Sequence, residues 1–412
     1  WASPAVVDYS VIWPDYNMTF RGIRGFYQAG ADRQIKGAMC TSWELMYGAL
    51  FENSWYGFVY AAECGWSLGQ TPKADYDRAF AANWFGLTQP EAADWMAQTL
   101  YRPFPTGGKL GLWANGALVQ KASWAAPADF RRKWMQRYPQ MGEAAAEWER
   151  ELDASLERVA QMKKLARTNE ETLAAAAAGL RLMRQLARKC QAFDAAADAY
   201  AAARAKAEAG ATPEASAHLA AAAKALRSLL PEYAWLTETY QYAVDHWGHW
   251  SGDVKALQQQ SAGLEAMAAK LDDLARQVTE GRLTKLPVGE TLGLGQKPVL
   301  LVGQWTPAQM SEAFREIRLD VTPFIKGPGT YRFEWQYTRG AHALALRRVA
   351  LVADGQVVAE DQHDGHTGAS TSNNVYVLTV PPGEPAKKYE LAATVASHGG
   401  TDSYGEVSLV VD

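Results

Sequence analysis

The sequence predicts a multidomain chain of α and β structure, arranged as three successive regions. Strand and helix signals alternate over residues 1–125, long alanine-rich helical segments fill residues 126–285, and short alternating strands occupy residues 286–412. A chain of 412 residues is long enough for two or three domains. We therefore expect a strand-and-helix domain, an antiparallel helical bundle and a β-sandwich, in that order.

The first region contains a strand, a helix and a second strand. Residues 5–13 (AVVDYSVIW) are rich in β-forming side chains and stop at Pro14-Asp15, after which an apolar helix pattern follows. A second apolar run, residues 35–41, ends in Ser42-Trp43-Glu44. A strand–helix–strand unit of about 40 residues is typical of parallel sheets and barrels. Because the chemistry of a barrel lies at the carboxyl ends of its strands, residues 42–44 are candidates for a site.

The second region predicts a helical bundle. Its helical segments span residues 141–167, 170–209, 213–229 and 252–280, with breaks at residues 210–213 and at Pro231. On the first segment, apolar side chains recur at spacings of three and four and form one stripe: Trp148, Leu152, Leu156, Val159 and Met162. Such a stripe must be buried against neighbouring helices, which favours an antiparallel bundle.

The third region predicts a β-sandwich. Aromatic side chains alternate strictly over one strand, at Tyr331, Phe333, Trp335 and Tyr337. Asp354-Gly355 lies between two β-rich runs and is typical of a tight hairpin turn. Several further short strands separated by turn residues complete the pattern of a sandwich.

Two segments resemble parts of known glycosidases. Residues 35–67, IKGAMCTSWELMYGALFENSWYGFVYAAECGWS, resemble the end of the catalytic barrel in glycoside hydrolase family 20, the β-N-acetylhexosaminidases. Leu319-Asp320-Val321-Thr322, together with residues 331–358, resembles the galactose-binding-like jelly rolls appended to bacterial glycosidases. The resemblance implies the end of a (β/α)8 barrel over residues 1–125, a helical bundle over 126–285 and a C-terminal jelly-roll β-sandwich over 286–412.

The same resemblance implies a sugar-binding role for the end of the second strand. In the family, a tryptophan and a glutamate on the last strand help to form the sugar pocket, and Trp43 and Glu44 match them. The family places its glutamate two residues after the tryptophan, whereas Glu44 follows Trp43 directly, and a shift of one residue reverses the side-chain direction in an ideal strand. The alternative for Trp43 is a core position. Glu63 and Trp66, also part of the resemblance, are interpreted as packing residues.

Four further residues are candidates for substrate binding. The family uses a tyrosine and an aspartate at the end of the preceding strand to hold the acetamido group of the substrate. Asp15 and Tyr16, with Trp13, occupy this place, although the order Trp-Pro-Asp-Tyr departs from the family's Tyr-x-Asp. Trp55 follows the last strand and could line the pocket.

The catalytic pair of the family has no counterpart in the sequence. Family 20 uses an adjacent Asp-Glu pair, in which the glutamate protonates the leaving oxygen, and this chain contains no Asp-Glu dipeptide. We therefore expect no catalytic residue in the chain. The resemblance implies the C-terminal part of a secreted, extracellular or periplasmic glycoside hydrolase that acts on N-acetylhexosamine-containing glycans. The alternative is a non-catalytic carbohydrate-binding or self-assembling extracellular structural protein, and a homo-oligomer is compatible with both.

Composition argues against several other functions. A formal charge of −4 gives no electrostatic basis for binding nucleic acid. The sequence contains no run of about 18 apolar residues, so it predicts no transmembrane helix. The three cysteines lack metal-type spacing, and the polar cluster at residues 361–366 is better explained by a turn-rich loop than by a metal site, so we expect no metal and no cofactor. The chain opens at Trp1 with no initiator Met and no signal peptide, so we expect a removed leader or a longer parent protein.

Overall fold

The chain divides into two units, Trp1–Gly295 and Gln296–Asp412, and each has its own apolar core. The computed structural model describes residues 1–8, 11–43, 47–101, 116–136, 138, 140–295, 299–367, 373–383 and 386–410. The chain therefore combines a largely helical unit with a unit of two antiparallel sheets. Within these ranges, no helix is both long and apolar enough to cross a membrane. All three cysteines are free thiols.

The first unit opens with two short segments that pair in parallel. Isolated parallel bridges join Ala2 to Ala38 and Ala5 to Thr41. The amide of Val6 donates to the carbonyl of Thr41 at 2.9 Å. Helix α1, Tyr16–Asp32, forms the connection between them. The parallel orientation expected from the sequence is thus present, but the first paired segment covers residues 2–6 rather than 5–13. The other strands of the expected barrel remain a prediction.

Several shorter helices follow this pair. A 3-10 turn, Phe51–Ser54, leads into α2, Trp55–Ser67. The next helices are α3, Lys73–Phe85, and α4, Ala92–Trp95, which continues as a π-helical segment, Met96–Tyr101. After them come α5, Gly116–Ser123, and α6, Pro127–Phe130, which continues as a second π-helical segment, Arg131–Met135.

Five long helices complete the first unit: α7 Gln140–Leu165, α8 Glu170–Glu208, α9 Thr212–Arg227, α10 Leu230–Trp247 and α11 Gly252–Thr279. Four of the five residues of the predicted α7 stripe are buried, and Leu156 is half-buried. The sequence did not predict α10, because Pro231 was interpreted as a break. Pro231 lies in the first turn of α10, where the missing N–H costs no hydrogen bond.

The described part of the second unit forms eight strands: β1 Val299–Trp305, β2 Arg315–Asp320, β3 Gly329–Gly340, β4 Leu344–Ala353, β5 Gln356–His366, β6 Val375–Val380, β7 Tyr389–Ser397 and β8 Ser403–Val410. They form two four-stranded sheets, ordered β1-β8-β3-β6 and β2-β7-β4-β5, in which neighbouring strands run antiparallel. Residues of both sheets share one apolar core, which includes Phe333 and Trp335. Asp354 and Gly355 have φ values of 47° and 87°, which confirms the tight hairpin turn between β4 and β5.

The bundle contains a buried lysine whose pKa is well below its usual value. Lys189 on α8 is 0% exposed, and its ammonium donates to the Ala125 carbonyl and to Gln260 Oε1, both at 2.8 Å. The Nζ atom also lies 4.3 Å from the centre of the Phe130 ring. Burial lowers the pKa of Lys189 to about 7, because an ammonium loses its hydration inside the bundle.

This lowered pKa predicts a pH-dependent stability. Between about pH 7 and 10 the unfolded chain keeps Lys189 protonated while the folded chain holds it neutral, so the free energy of unfolding rises with pH by about 1.4 kcal/mol per unit. We expect Lys189→Met to remove this slope, measured by urea unfolding followed by helical circular dichroism at several pH values. Lys206→Met, at an exposed position of the same helix, should leave the slope intact. Equal slopes in wild type and Lys189→Met would contradict the prediction.

Candidate functional site

A buried carboxylate lies at the carboxyl end of the parallel pair. Asp8 follows the first paired segment and is 1% exposed. Its carboxylate accepts hydrogen bonds from the Ser42 hydroxyl, from Ser54 Oγ at 3.1 Å and from the backbone N–H of Trp43 at 3.2 Å. Three donors satisfy the buried carboxylate and offset its loss of hydration. Asp8 therefore fixes the backbone where the second paired segment ends.

Trp43 is held at this edge with its ring in solvent. The residue is 73% exposed, although its backbone N–H is bound by the buried Asp8. The indole Nε1 donates to Thr41 Oγ1 at 3.0 Å, which restrains the ring. An indole face that is exposed and positioned in this way can stack on an apolar ligand surface. Among the described residues of this chain, Trp43 does not occupy a core position.

Two of the other predicted site residues are buried. Trp13 is 1% exposed and donates from Nε1 to the carbonyl of Leu100 at 3.0 Å. Tyr16 is also 1% exposed, and its hydroxyl donates to the carbonyl of Asn53. Burial raises the pKa of Tyr16 well above its usual value, so this phenol stays protonated. Both side chains pack inside the first unit, and their predicted contact with substrate remains a prediction.

The remaining candidates lie in different surroundings. Asp15 is exposed and caps α1, since its carboxylate accepts from the Met18 N–H at 2.9 Å. Trp55 is half-buried and contacts Trp84, with 5.3 Å between the ring centres. Glu44 lies outside the described residues. The substrate-binding role of these three residues is likewise still a prediction.

A tightly held turn follows Trp43 along the chain. The carboxylate of Asp253, at the start of α11, accepts from the backbone N–H of Tyr47 at 2.9 Å and of Gly48 at 2.6 Å. The two carbonyls of this turn are also bound: Trp124 Nε1 donates to Tyr47 at 2.8 Å, and the Tyr240 hydroxyl donates to Gly48 at 2.8 Å. The side chains of Asp253, Trp124 and Tyr240 thus bind both N–H groups and both carbonyls of Tyr47 and Gly48.

These hydrogen bonds oppose an unfavourable backbone conformation. Tyr47 has a φ of 59° and Gly48 a φ of 88°. A left-handed conformation is a genuine outlier for a bulky side chain such as tyrosine and costs about 1–3 kcal/mol. Gly48 could not be replaced at low cost, because a Cβ atom there would overlap the side chain of Leu182. Asp253 itself is 1% exposed and also contacts His249 Nε2 at 2.9 Å.

Two of the buried aspartates, Asp8 and Asp253, were not identified from the sequence. Asp8 is a lone acid within a β-rich run, and such a residue must find buried donors if the strand is internal. That signal was available and could have identified it. Asp253 gave no comparable signal, because its partners Tyr47 and Gly48 lie more than 200 residues earlier in the chain.

A surface cavity of about 510 Å³ lies between α3, the first π-helical segment and α7. Its lining includes Lys73, Tyr101 and Arg158. Lys73 forms a salt bridge with Asp77, and its ammonium lies 4.0 Å from the centre of the Tyr101 ring. The lysine therefore covers one face of the Tyr101 ring.

The polar cluster at residues 361–366 lies on strand β5, so the expectation of a turn-rich loop is wrong. His363 contacts Asp361 Oδ1 at 2.8 Å and the Asn373 carbonyl at 2.9 Å, and it lines a cavity of about 480 Å³. Burial lowers the pKa of His363, but its bonds to the two acceptors outweigh this and raise the net pKa. Among the described residues, no group of three His, Cys, Asp or Glu side chains could hold a metal ion.

Comparison with known proteins gives a weak structural similarity and no family. No protein-family model matches the chain, and no curated protein matches it. A GH138 enzyme targeting pectin rhamnogalacturonan II is a solved structure similar to this chain, with a TM-score of 0.31 and 9% sequence identity. The similarity covers 96% of this chain and 55% of that one, so the chain spans about half of that protein's length. A similarity this low assigns neither a fold nor an activity.

The three donors around Asp8 predict a specific destabilisation. In Asp8→Asn, the charge-assisted hydrogen bonds with Ser42, Ser54 and Trp43 become neutral ones, which are roughly half as strong. We expect a loss of about 1–3 kcal/mol in the free energy of unfolding, measured by chemical denaturation. Asp15→Asn is the matched control, because asparagine caps a helix about as well as aspartate. Equal losses in both variants would show that the buried contacts of Asp8 do not stabilise this edge.

Proposed function

We propose that this chain is the C-terminal part of a secreted glycoside hydrolase that acts on N-acetylhexosamine-containing glycans. The observation that carries the proposal is the position of Trp43. It lies at the carboxyl end of a parallel segment pair, with its ring exposed and its backbone held by Asp8. The carboxyl ends of parallel strands are where barrel enzymes build their active sites. An aromatic face at that edge suits the apolar face of a sugar ring.

The proposal assigns substrate binding, and not proton transfer, to this chain. Its sequence contains no Asp-Glu dipeptide, so we propose no general acid within it. A barrel needs about eight strands, and the described residues among the first 50 supply one parallel pair. The glycosidase therefore requires further strands, and the catalytic pair would lie on them. For the second unit we propose a galactose-binding-like jelly roll, supported by its two antiparallel sheets.

A second candidate function uses the same surface. A non-catalytic carbohydrate-binding protein would also need an exposed, positioned indole, and Trp43 meets that need equally well. The two proposals differ in turnover. Hydrolysis of chitotriose by a longer parent that contains this chain would favour the glycosidase, whereas binding without hydrolysis by that parent would favour the binding protein.

The proposal predicts that Trp43 contributes directly to glycan binding. We expect Trp43→Ala to weaken the binding of chitotriose by roughly 10-fold, or about 1.4 kcal/mol, measured by titration calorimetry. Trp66→Ala is the matched control. Trp66, interpreted from the sequence as a packing residue, is 91% exposed on α2 in this chain. Absence of binding by the wild-type chain, or equal losses in the two variants, would contradict the proposal.

A further inference from the structure

Two exposed aromatic rings meet beside the Tyr47–Gly48 turn. Tyr47 and Trp250 are each 46% exposed. Their ring centres are 5.8 Å apart and the ring planes are inclined by 65°, an edge-to-face arrangement. One ring comes from the segment that follows the parallel pair, and the other comes from the connection between α10 and α11. Together they form an aromatic corner, defined here as the rings of Tyr47 and Trp250.

The backbone fixes the indole of this corner. The six-membered part of the Trp250 ring lies directly over Gly252, the first residue of α11, and a Cβ atom at that position would overlap the ring. The carbonyl of Trp250 accepts from the Asp253 N–H at 3.3 Å. Glycine at position 252 therefore allows the indole to lie flat against the start of the helix.

The strained turn fixes the other ring. Because the backbone polar groups of Tyr47 are bound by the buried Asp253 and the half-buried Trp124, its phenol ring is the part of the residue presented to solvent. Backbone strain in a bulky residue persists only where surrounding contacts enforce it, and it concentrates at functional sites. The aromatic pair is not needed to fasten the turn, since Asp253 and Tyr240 already do so.

The corner lies close to Trp43. Tyr47 follows Trp43 by four residues, so their Cα atoms are at most about 14 Å apart. A monosaccharide on Trp43 would leave the corner unused, whereas an oligosaccharide could reach both. The corner carries aromatic faces rather than paired charges, which suits the apolar face of a neutral sugar ring.

We propose that the aromatic corner is a second glycan subsite, which binds a ring of an oligosaccharide whose other end contacts Trp43. This inference rests on the proposed glycan binding and deepens it. It gives the connection between α10 and α11 a direct part in substrate recognition, through Trp250. It also makes the site selective for oligosaccharides over single sugars.

The test compares a short and a long probe on the full chain. N-acetylglucosamine and chitotriose are titrated into wild type, Trp250→Ala, Gly252→Ala and Trp43→Ala, with Trp66→Ala as the exposed-tryptophan control. Gly252→Ala is the sharper variant, because alanine favours the helix while its methyl group displaces the indole. Melting temperatures of all variants establish that each remains folded.

We expect Trp250→Ala and Gly252→Ala to weaken chitotriose binding by roughly 10-fold, about 1.4 kcal/mol, and to leave N-acetylglucosamine binding unchanged. Trp43→Ala should weaken both, and Trp66→Ala neither. If Trp43→Ala weakens binding while folded Trp250→Ala and Gly252→Ala bind chitotriose as wild type does, the second subsite is overturned and the proposed function stands. If the wild-type chain binds neither probe, the proposed function fails, and the subsite fails with it.

Discussion

The contact between Asp253 and the Tyr47–Gly48 turn is the constraint on which the candidate site depends. One buried carboxylate at the start of α11 binds two consecutive backbone N–H groups that lie 205 and 206 residues earlier in the chain. An acid in the first turn of a helix is also favoured by the partial positive charge of the helix N-terminus. This contact joins helix α11 to the Tyr47–Gly48 turn, which follows the parallel pair. Together with the hydrogen bonds from Trp124 and Tyr240 to the two carbonyls, it offsets the cost of the left-handed Tyr47 backbone.

Asp8 acts by the same physical principle at the end of the first paired segment. A buried carboxylate is costly alone and stabilising when several donors surround it, so it selects one arrangement of the backbone that supplies those donors. At Asp8 the selected backbone presents Trp43, and at Asp253 it presents Tyr47. The backbones that carry two exposed aromatic rings are thus positioned by buried carboxylates.

The sequence predicted the features that depend on local periodicity. The apolar stripe of α7, the alternating strand β3 and the Asp354-Gly355 hairpin all depend on residues near one another in the chain, and the structure contains each of them. Pro231 was misjudged because proline both ends helices and begins them, and the sequence around it does not distinguish the two.

The candidate site was predicted only in part, for physical reasons. Trp43 was identified through a resemblance at the end of a strand, and its exposure agrees with a ligand-binding role. Tyr47 and Trp250 were not identified, because neither a positive φ nor a contact across 200 residues leaves a local pattern. Trp66 was taken for a packing residue since tryptophan is usually buried, whereas its position on α2 faces solvent.

The most direct test of this account is a double-mutant cycle between Tyr47→Gly and Asp253→Ala, with the free energy of unfolding as the measurement. Glycine adopts a positive φ without strain, so only the wild-type turn gains strain relief when the Asp253 carboxylate is removed. The Asp253→Ala substitution should therefore cost more in the Tyr47→Gly background than in wild type. We expect a coupling of about 1 kcal/mol or more, within the range measured for residues in contact. Strict additivity of the two substitutions would contradict the claim that Asp253 holds a strained Tyr47 in place.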